Sequence, residues 1–153
     1  MTHVWRIVKA KYADEAFTGE GARRAGGRFN SPGVSVVYTS ESLALAQLEM
    51  LVHLPTDRLL STYVAFQVEV PDAYISTLAK TDLPDNWRAS PVPLAVQMIG
   101  DQWIADGKSV ALCVPSAVVP LEHNILLNPA HADFSDLTIH ESIDPEIDER
   151  IAQ

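Results

Sequence analysis

A glycine-rich segment at residues 19–33 is the feature that most constrains how this chain can fold. It contains five of the seven glycines, and its densest part reads Gly26-Gly27-Arg28-Phe29-Asn30-Ser31-Pro32-Gly33. Glycine weakens helix and strand interiors, permits positive φ and lets a backbone approach a ligand closely. The segment therefore predicts a loop between two sets of regular elements, either as part of a binding site or as a mobile surface loop.

Apolar periodicity predicts the elements next to this loop. Residues 4–8 alternate as a strand does, and residues 13–17 form at most a short helical piece. Residues 34–39 predict a buried strand. The helix that follows starts near Ser40, with Thr39 or Ser40 as its N-cap.

The rest of the chain adds strands, a proline-rich loop and further helices. Strand patterns cover residues 60–70, 74–77, 109–114 and 124–127, residues 83–93 form a loop, residues 94–105 a helix, and residues 144–152 an acidic amphipathic helix. These elements do not follow strict βαβ alternation, so the pattern predicts an α+β fold with a mixed β-sheet.

Length and composition predict one compact domain over residues 1–153. The chain is 47% hydrophobic and 20% charged, which supplies a real core at this length. No apolar run reaches bilayer thickness and no signal-peptide pattern begins the chain, so we expect a soluble, cytoplasmic protein. Cys113 is the only cysteine, which excludes an intrachain disulfide and fits a buried strand thiol.

The charge distribution argues for a small anionic ligand rather than a nucleic acid. Eleven Lys and Arg against twenty Asp and Glu give a net charge of −9, which repels a phosphate backbone. The N-terminal part nevertheless gathers six cations: Arg6, Lys9, Lys11, Arg23, Arg24 and Arg28. A local positive site on an acidic body attracts a small anion, and the acidic body itself can steer a basic protein partner.

Familiar site motifs are incomplete or missing. The string Gly19-Glu20-Gly21-Ala22-Arg23-Arg24 does not follow a strand directly and ends on arginine, unlike a dinucleotide fingerprint. Gly27-Arg28 stands where a P-loop needs Lys-Ser/Thr. The five histidines form no metal-binding spacing, and no G-x-S-x-G elbow is present, so we predict no metal and no serine hydrolase.

Three residues on successive elements carry the chemistry that the sequence suggests. Arg28, flanked by glycines, suits a bidentate phosphate contact, and Tyr38 at the end of a strand suits stacking on a flat ring. Glu49 falls with Ser42 and His53 on the polar stripe of an otherwise apolar helix, as a catalytic carboxylate could. Taken singly, a surface arginine, a packed tyrosine and a solvated glutamate explain them as well.

Together with several longer strings, these residues resemble the RES domain, a family named for an arginine, a glutamate and a serine. The resemblance runs from Val4 to about Phe134, leaves an acidic segment at 135–153, and assigns the three name-giving positions to Arg28, Glu49 and Ser116. The matching strings are Trp5-Arg6-Ile7, Phe17, Gly19-Glu20-Gly21-Ala22-Arg23, Gly26-Gly27-Arg28-Phe29-Asn30-Ser31-Pro32-Gly33, Val37-Tyr38-Thr39-Ser40-Glu41-Ser42-Leu43-Ala44, Leu48-Glu49, Val114-Pro115-Ser116-Ala117-Val118-Val119-Pro120 and Asn124-Ile125-Leu126-Leu127-Asn128-Pro129-Ala130-His131.

The resemblance implies a fold and an activity. RES proteins are bacterial toxins of type II toxin–antitoxin pairs that resemble ADP-ribosyltransferases and deplete NAD⁺. It implies a single domain with a split mixed β-sheet flanked by helices, and NAD⁺ as substrate with no further cofactor. The catalytic residues would be Arg28, Tyr38 and Glu49. The NAD⁺-binding residues would be Arg6, Arg28, Asn30, Tyr38, Ser116, Asn124 and Asn128, with a wall-forming role favoured for the last three.

The implied reaction fits a single carboxylate. Cleavage of the nicotinamide–ribose bond passes through an oxocarbenium-like state, which Glu49 would stabilise while it accepts from the ribose 2′-hydroxyl. Nicotinamide leaves from a cationic precursor and needs no proton, whereas Arg28, with Arg6 as a second cation, would anchor the pyrophosphate.

Partners and competing functions follow from the same resemblance. It implies an Xre-type antitoxin, a homodimer within the toxin–antitoxin complex, and no contact of this chain with nucleic acid or membrane. The alternatives are a protein ADP-ribosyltransferase, a non-catalytic nucleotide- or partner-binding module, and an RNA-cleaving toxin. The charge of −9 disfavours the last of these.

Overall fold

The computed structural model describes residues 1–54 and 62–152. Within them the strands are β1 (Thr2–Lys9), β2 (Val37–Ser40), β3 (Tyr63–Val70), β4 (Ile75–Thr77), β5 (Ala111–Pro115), β6 (His123–Leu127) and β7 (Thr138–Ile139). The α-helices are α1 (Glu20–Ala25), α2 (Leu43–Val52) and α3 (Leu94–Asp106), and short 3-10 helices cover Ala10–Glu15, Asp72–Tyr74, Lys80–Asp82, Ala132–Asp136 and Glu149–Ala152.

The strands of this described part form one mixed sheet in the order β4-β5-β6-β2-β1-β3-β7. Neighbours are antiparallel except β4 and β5, which run parallel. β1 pairs with β3 along its whole length but with β2 only at Trp5 opposite Ser40. The sheet is therefore split between β1 and β2, which confirms the α+β fold with a split mixed sheet.

Two apolar cores cover opposite faces of the sheet, because neighbouring residues of one strand point to opposite sides. We call the first the Val37 face; its buried residues are Val4, Val37, Val68, Val70, Val110, Ala111, Ile125, Leu127 and Leu137. We call the second the Tyr38 face; its buried residues are Phe29, Val36, Val96, Trp103, Leu112, Val114 and Leu126, with Tyr38 packed against them. The glycine-rich loop and α3 thus lie on the Tyr38 face.

Helix α2 begins later than the sequence predicts. Thr39 and Ser40 stay in β2, opposite Ile125 and Asn124 of β6, so neither can cap a helix. Ser42 is the N-cap instead, and its Oγ accepts from the backbone N–H of Leu45 at 3.0 Å. The predicted strand at 34–39 is likewise shorter, since pairing starts at Val37.

The segment at 19–33, predicted as a loop because of its glycines, contains a short helix. Helix α1 lies between Gly19 and Gly26, whose φ angles of 76° and 74° suit glycine. Glu20 pairs with Arg23 and Arg24 three and four positions later, which supports the turn. The glycines therefore mark the two ends of a helix rather than a continuous loop.

The predicted acidic helix at 144–152 is wrong. Pro145 disfavours helical backbone at Asp144, whose Oδ1 accepts from the N–H of Glu146 at 2.8 Å to form a turn. Only the 3-10 helix Glu149–Ala152 follows. The helical piece predicted at 13–17 is a 3-10 helix at Ala10–Glu15.

The other predicted elements are confirmed with small shifts of their ends. The strands at 4–8, 74–77, 109–114 and 124–127, the loop at 83–93 and the helix at 94–105 all appear. The start of the strand predicted at 60–70 lies outside the described residues, and the rest is β3. No described helix combines the length and apolar character needed to cross a membrane.

Candidate active site

The glycine-rich loop at 26–33 is anchored by the buried side chain of Asn30, which favours a structured part of a site over a loose surface loop. The side chain of Asn30 has no exposed surface. Its Nδ2 donates to the carbonyl oxygens of Ala22 at 2.9 Å and Val34 at 3.0 Å. One buried amide group thus connects the loop to α1 and to the segment just before β2.

Helix α3 holds the same loop from outside. Gln97 Nε2 donates to the carbonyl oxygen of Gly27 at 3.0 Å. The Asp101 carboxylate accepts from the backbone N–H of Ser31 at 2.9 Å and from its hydroxyl at 2.6 Å. Because positions four apart share one helix face, a single face of α3 presents both side chains to the loop.

Gly100, between these two side chains, lets the helix approach. A Cβ atom at this position would overlap the backbone carbonyl of Phe29. An isolated glycine within a helical pattern is the sequence signal that marks such a close contact. Sequence reasoning missed it, together with Gln97 and Asp101.

Tyr38 lies under the loop with its hydroxyl group fully engaged. The hydroxyl donates to Asn30 Oδ1 at 2.6 Å and accepts from the N–H of Phe29 at 3.0 Å. Burial raises the pKa of Tyr38, so the phenol stays neutral at physiological pH. A Cβ atom on Gly27 would come within 2.5 Å of this hydroxyl, so the glycine keeps room for the ring.

Arg28 points into the loop at 83–93 and is held there by neutral acceptors. Its Nη1 donates to the carbonyl oxygens of Trp87 at 2.7 Å and Ala89 at 3.0 Å. Burial lowers the pKa of Arg28, while the nearby Glu49 and Tyr38 act to raise it. The guanidinium therefore keeps its charge and fixed orientation near both residues.

Glu49 is positioned by Ser116. Ser116 is fully buried just beyond β5, and its hydroxyl donates to Glu49 Oε1 at 2.6 Å. The hydroxyl oxygen of Ser116 also accepts from the N–H groups of Val118 and Val119, each at 3.0 Å. The turn after β5 thus aims one hydroxyl at the carboxylate, whose side chain is only half-buried.

Arg28, Tyr38, Glu49 and Ser116 therefore meet at one site beside the split in the sheet. The hydrogen bond between Ser116 and Glu49 and the effect of Glu49 and Tyr38 on the pKa of Arg28 link all four. A fixed cation, an aromatic ring and an oriented carboxylate are the groups needed to bind a nucleotide and stabilise a developing cation at its ribose.

The hydrogen bonds of Arg6 reach only one of these four residues, Tyr38, and only at its backbone carbonyl group. Trp5 is opposite Ser40, so Arg6 leaves the sheet on the Val37 face, away from the ring of Tyr38. Its Nε donates to the carbonyl oxygen of Ala16 at 2.6 Å and its Nη1 to that of Tyr38 at 3.0 Å, where β1 and β2 have separated. Burial lowers the pKa of Arg6 to about 10. Arg6 thus bridges the split, which does not favour its predicted role as second phosphate cation.

A small cavity opens beside Arg6. Its volume is about 360 Å³, and it is lined by Arg6, Val8, Lys9, Tyr12, Glu15, Ala16, Gly21 and Arg24. Arg28, Tyr38, Glu49 and Ser116 are not among its lining residues.

Two of the three predicted asparagines, Asn124 and Asn128, lie at opposite ends of β6. Asn124 donates through Nδ2 to Ser40 Oγ at 3.1 Å and leaves the sheet on the Tyr38 face. Asn128 is buried, and its Oδ1 accepts from the N–H of Ala130 at 3.0 Å to close the turn after the strand. The geometry brings Asn124 toward the site and gives Asn128 a role in the turn.

The family profile described as RES domain matches residues 3–149. A protein named Toxin Res from Yersinia enterocolitica is 42% identical over 131 residues, which cover 86% of this chain and 86% of that protein. A protein named Prs ADP-ribosylating toxin from Sphingobium sp. is 38% identical over 137 residues, covering 86% of this chain and 85% of that protein.

A solved structure of a toxin–antitoxin complex shares the fold. It is the crystal structure of the M. tuberculosis MbcT–MbcA toxin–antitoxin complex, which matches with a TM-score of 0.74 at 18% sequence identity. The match covers 99% of this chain and 86% of that chain. At this identity the likeness establishes the fold alone.

Proposed function

The chain belongs to the RES domain family, and from that premise we propose that it is the toxin of a toxin–antitoxin pair that cleaves the nicotinamide–ribose bond of NAD⁺. The hydrogen bond of 2.6 Å from Ser116 to Glu49 carries the proposal. It orients one carboxylate near a fixed cation, Arg28, whose pKa that carboxylate influences. The proposed site of action is the bacterial cytoplasm.

Each of these groups has a defined task in the proposed reaction. Arg28 binds the pyrophosphate, and the ring of Tyr38 packs near the nicotinamide. Glu49 accepts from the ribose 2′-hydroxyl and stabilises the oxocarbenium-like state as the C–N bond breaks and nicotinamide leaves with the bonding electron pair. Ser116 fixes the Glu49 rotamer, and Asn30 fixes Tyr38.

The direct test is the release of nicotinamide from NAD⁺ by the purified protein. Glu49→Gln keeps the size of the side chain and removes its charge, so we expect kcat to fall by a factor on the order of 10³. Glu41→Gln, on an exposed carboxylate before the same helix, is the matched control and should retain wild-type turnover. Wild-type turnover in Glu49→Gln would remove that residue from the mechanism.

The acceptor of the ADP-ribosyl group distinguishes three enzymes: water gives a glycohydrolase, inorganic phosphate a phosphorylase, and a protein side chain a transferase. The Sphingobium relative, named as an ADP-ribosylating toxin, favours the transferase as second candidate. Mass spectrometry of the products, with and without phosphate and with cell extract as a source of acceptor proteins, separates the three.

A neutralising antitoxin is part of the proposal, because the fold matches a toxin in a complex with its antitoxin. We propose an Xre-type partner and a toxin homodimer within the complex. If a carboxylate of the partner occupies the cleft at Arg28 in place of the NAD⁺ phosphates, inhibition should be competitive with NAD⁺. Equal NAD⁺ binding in the presence of the partner would instead indicate docking at a remote surface, such as the acidic segment at 144–149.

A further inference from the structure

The loop at 83–93, which binds Arg28, contains a second arginine, Arg88. Arg28 donates to the carbonyl oxygens of Trp87 and Ala89, the two residues that flank Arg88. The Nε of Arg88 donates to the carbonyl oxygen of Ala117 at 2.9 Å. The segment 87–89 therefore brings the two arginines together: the carbonyl oxygens of its first and last residues bind Arg28, and its middle residue is Arg88.

This arrangement brings Arg88 to the turn after β5 that contains Ser116. Ala117 directly follows Ser116, which donates to Glu49. The contact of Arg88 with Ala117 thus joins the loop at 83–93 to the turn that positions the carboxylate. Arg88 also acts on the pKa of Arg28, in the direction expected of a neighbouring like charge.

Two neighbouring cations repel each other, and a bound anion relieves this repulsion. Neither Arg28 nor Arg88 forms an ion pair with a carboxylate of the described residues, whose arginine ion pairs involve Arg23, Arg24 and Arg150. The Arg88 side chain is exposed, and in the described part of the chain its hydrogen bond uses Nε alone. Its terminal nitrogens can therefore face a ligand.

We propose that Arg28 and Arg88 together form the pyrophosphate subsite, with Arg28 as the fixed inner clamp and Arg88 as the outer one. The inference rests on the proposed function and assigns to Arg88 the second phosphate contact that the family resemblance had suggested for Arg6. Two guanidinium groups match the two phosphates of a dinucleotide, so Arg88 selects NAD⁺ over substrates that lack a pyrophosphate.

The test compares NAD⁺ with nicotinamide riboside, which has the same scissile bond and no phosphate. A charge-assisted contact to phosphate accounts for roughly a 10- to 100-fold change in affinity. We therefore expect Arg88→Gln to raise KM for NAD⁺ by that factor, and to change kcat for NAD⁺ and kcat/KM for nicotinamide riboside by a much smaller factor. The control is Arg150→Gln, at an exposed arginine of the C-terminal segment. It makes the same change in net charge and should leave kcat and KM for both substrates at wild-type values.

A binding experiment makes the outcome independent of catalysis. In calorimetry with ADP-ribose, Arg88→Gln should weaken binding by the same factor as it raises KM, and adenosine should not distinguish the variant from wild type. Equal ADP-ribose affinity in the two proteins would overturn the inference, whether or not NAD⁺ is cleaved. An equal loss of kcat/KM on both substrates would also overturn it, because Arg88 would then act only by supporting the turn at Ser116.

Discussion

Ser116→Ala isolates the contact that orients Glu49, the proposed catalytic carboxylate. The substitution removes the donor to Glu49 Oε1 and the acceptor for the N–H groups of Val118 and Val119. Ser116 is fully buried, so no water replaces the hydroxyl without rearrangement. From hydrogen bonds of this kind we expect the free energy of unfolding to fall by about 1–3 kcal/mol.

The effect on catalysis should exceed the effect on folding. Without the hydroxyl, Glu49 samples other rotamers, and a displacement near 1 Å costs about 10²-fold in rate. We expect kcat for nicotinamide release to fall by about 10- to 100-fold, with KM nearly unchanged, because the arginine contacts to phosphate remain. In a Glu49→Gln background the same serine change should add little, since both substitutions remove one function.

Ser109→Ala is the matched control for this experiment. Ser109 Oγ also makes two hydrogen bonds at 3.0 Å, accepting from Trp103 Nε1 and donating to the carbonyl oxygen of Ala111, but it does not contact Glu49. The Ser109→Ala substitution should lower the free energy of unfolding measured in urea and leave kcat unchanged. If Ser116→Ala loses stability and retains wild-type kcat, the serine only closes its turn and the proposed orientation of Glu49 is wrong.

Three further predictions test other parts of the molecule. Arg28→Lys should raise KM for NAD⁺ and lower kcat, because an ammonium cannot contact both carbonyl oxygens and a phosphate in one plane; unchanged kinetics would exclude phosphate clamping. Gly100→Ala should lower the midpoint of urea unfolding, by an amount equivalent to about 1–3 kcal/mol or more, because its Cβ overlaps the carbonyl of Phe29, whereas Ala105→Gly in α3 should cost at most about 1 kcal/mol. Hydrogen bonds from His3 and His140 lower the pKa of Glu69, so its stabilising effect should be complete above its ordinary value of 4.5 and disappear as the pH falls through the lowered folded value. Amide exchange of β7 measured between pH 3 and 6 should show this loss in wild type and not in Glu69→Gln.

Much of the sheet could be predicted from alternation alone, because a strand buried on one face repeats its apolar residues at every second position. Residues 68–70 show this, with Val68 and Val70 buried and Glu69 between them only half-buried, whereas earlier in the same strand Ala65 is buried and the larger Val64 and Phe66 are not. The start of α2 could not be predicted this way. Thr39, Ser40 and Ser42 are all competent caps, and only the pairing of β2 with β6 decides among them.

The site was predictable to the extent that local strings encode it. Arg28, Tyr38 and Glu49 lie on one loop–strand–helix unit, so their proximity follows from short connections. Ser116 joins them across 67 residues of sequence, and only the resemblance to a family pointed to it. Nothing in the sequence says which loop the face of α3 contacts, so the roles of Gln97 and Asp101 required the structure.

Backbone carbonyl groups, rather than carboxylates, orient Arg6 and the two arginines of the proposed phosphate subsite. Arg28 is held by two carbonyl oxygens, Arg88 by one, and Arg6 by two. The surface arginines of the described residues that form ion pairs contact carboxylates instead: Arg23 and Arg24 contact Glu20, and Arg150 contacts Asp148. A carbonyl dipole fixes the plane of a guanidinium group without neutralising its charge, whereas a carboxylate fixes the plane and also neutralises the charge.

On a body with a net charge of −9, which repels a dinucleotide at long range, a binding site needs cations that are oriented and still fully charged. Arg28 and Arg88 meet that condition beside Glu49, and a carboxylate introduced against either of them, as in Ala89→Asp, should abolish NAD⁺ binding even though it adds an ion pair.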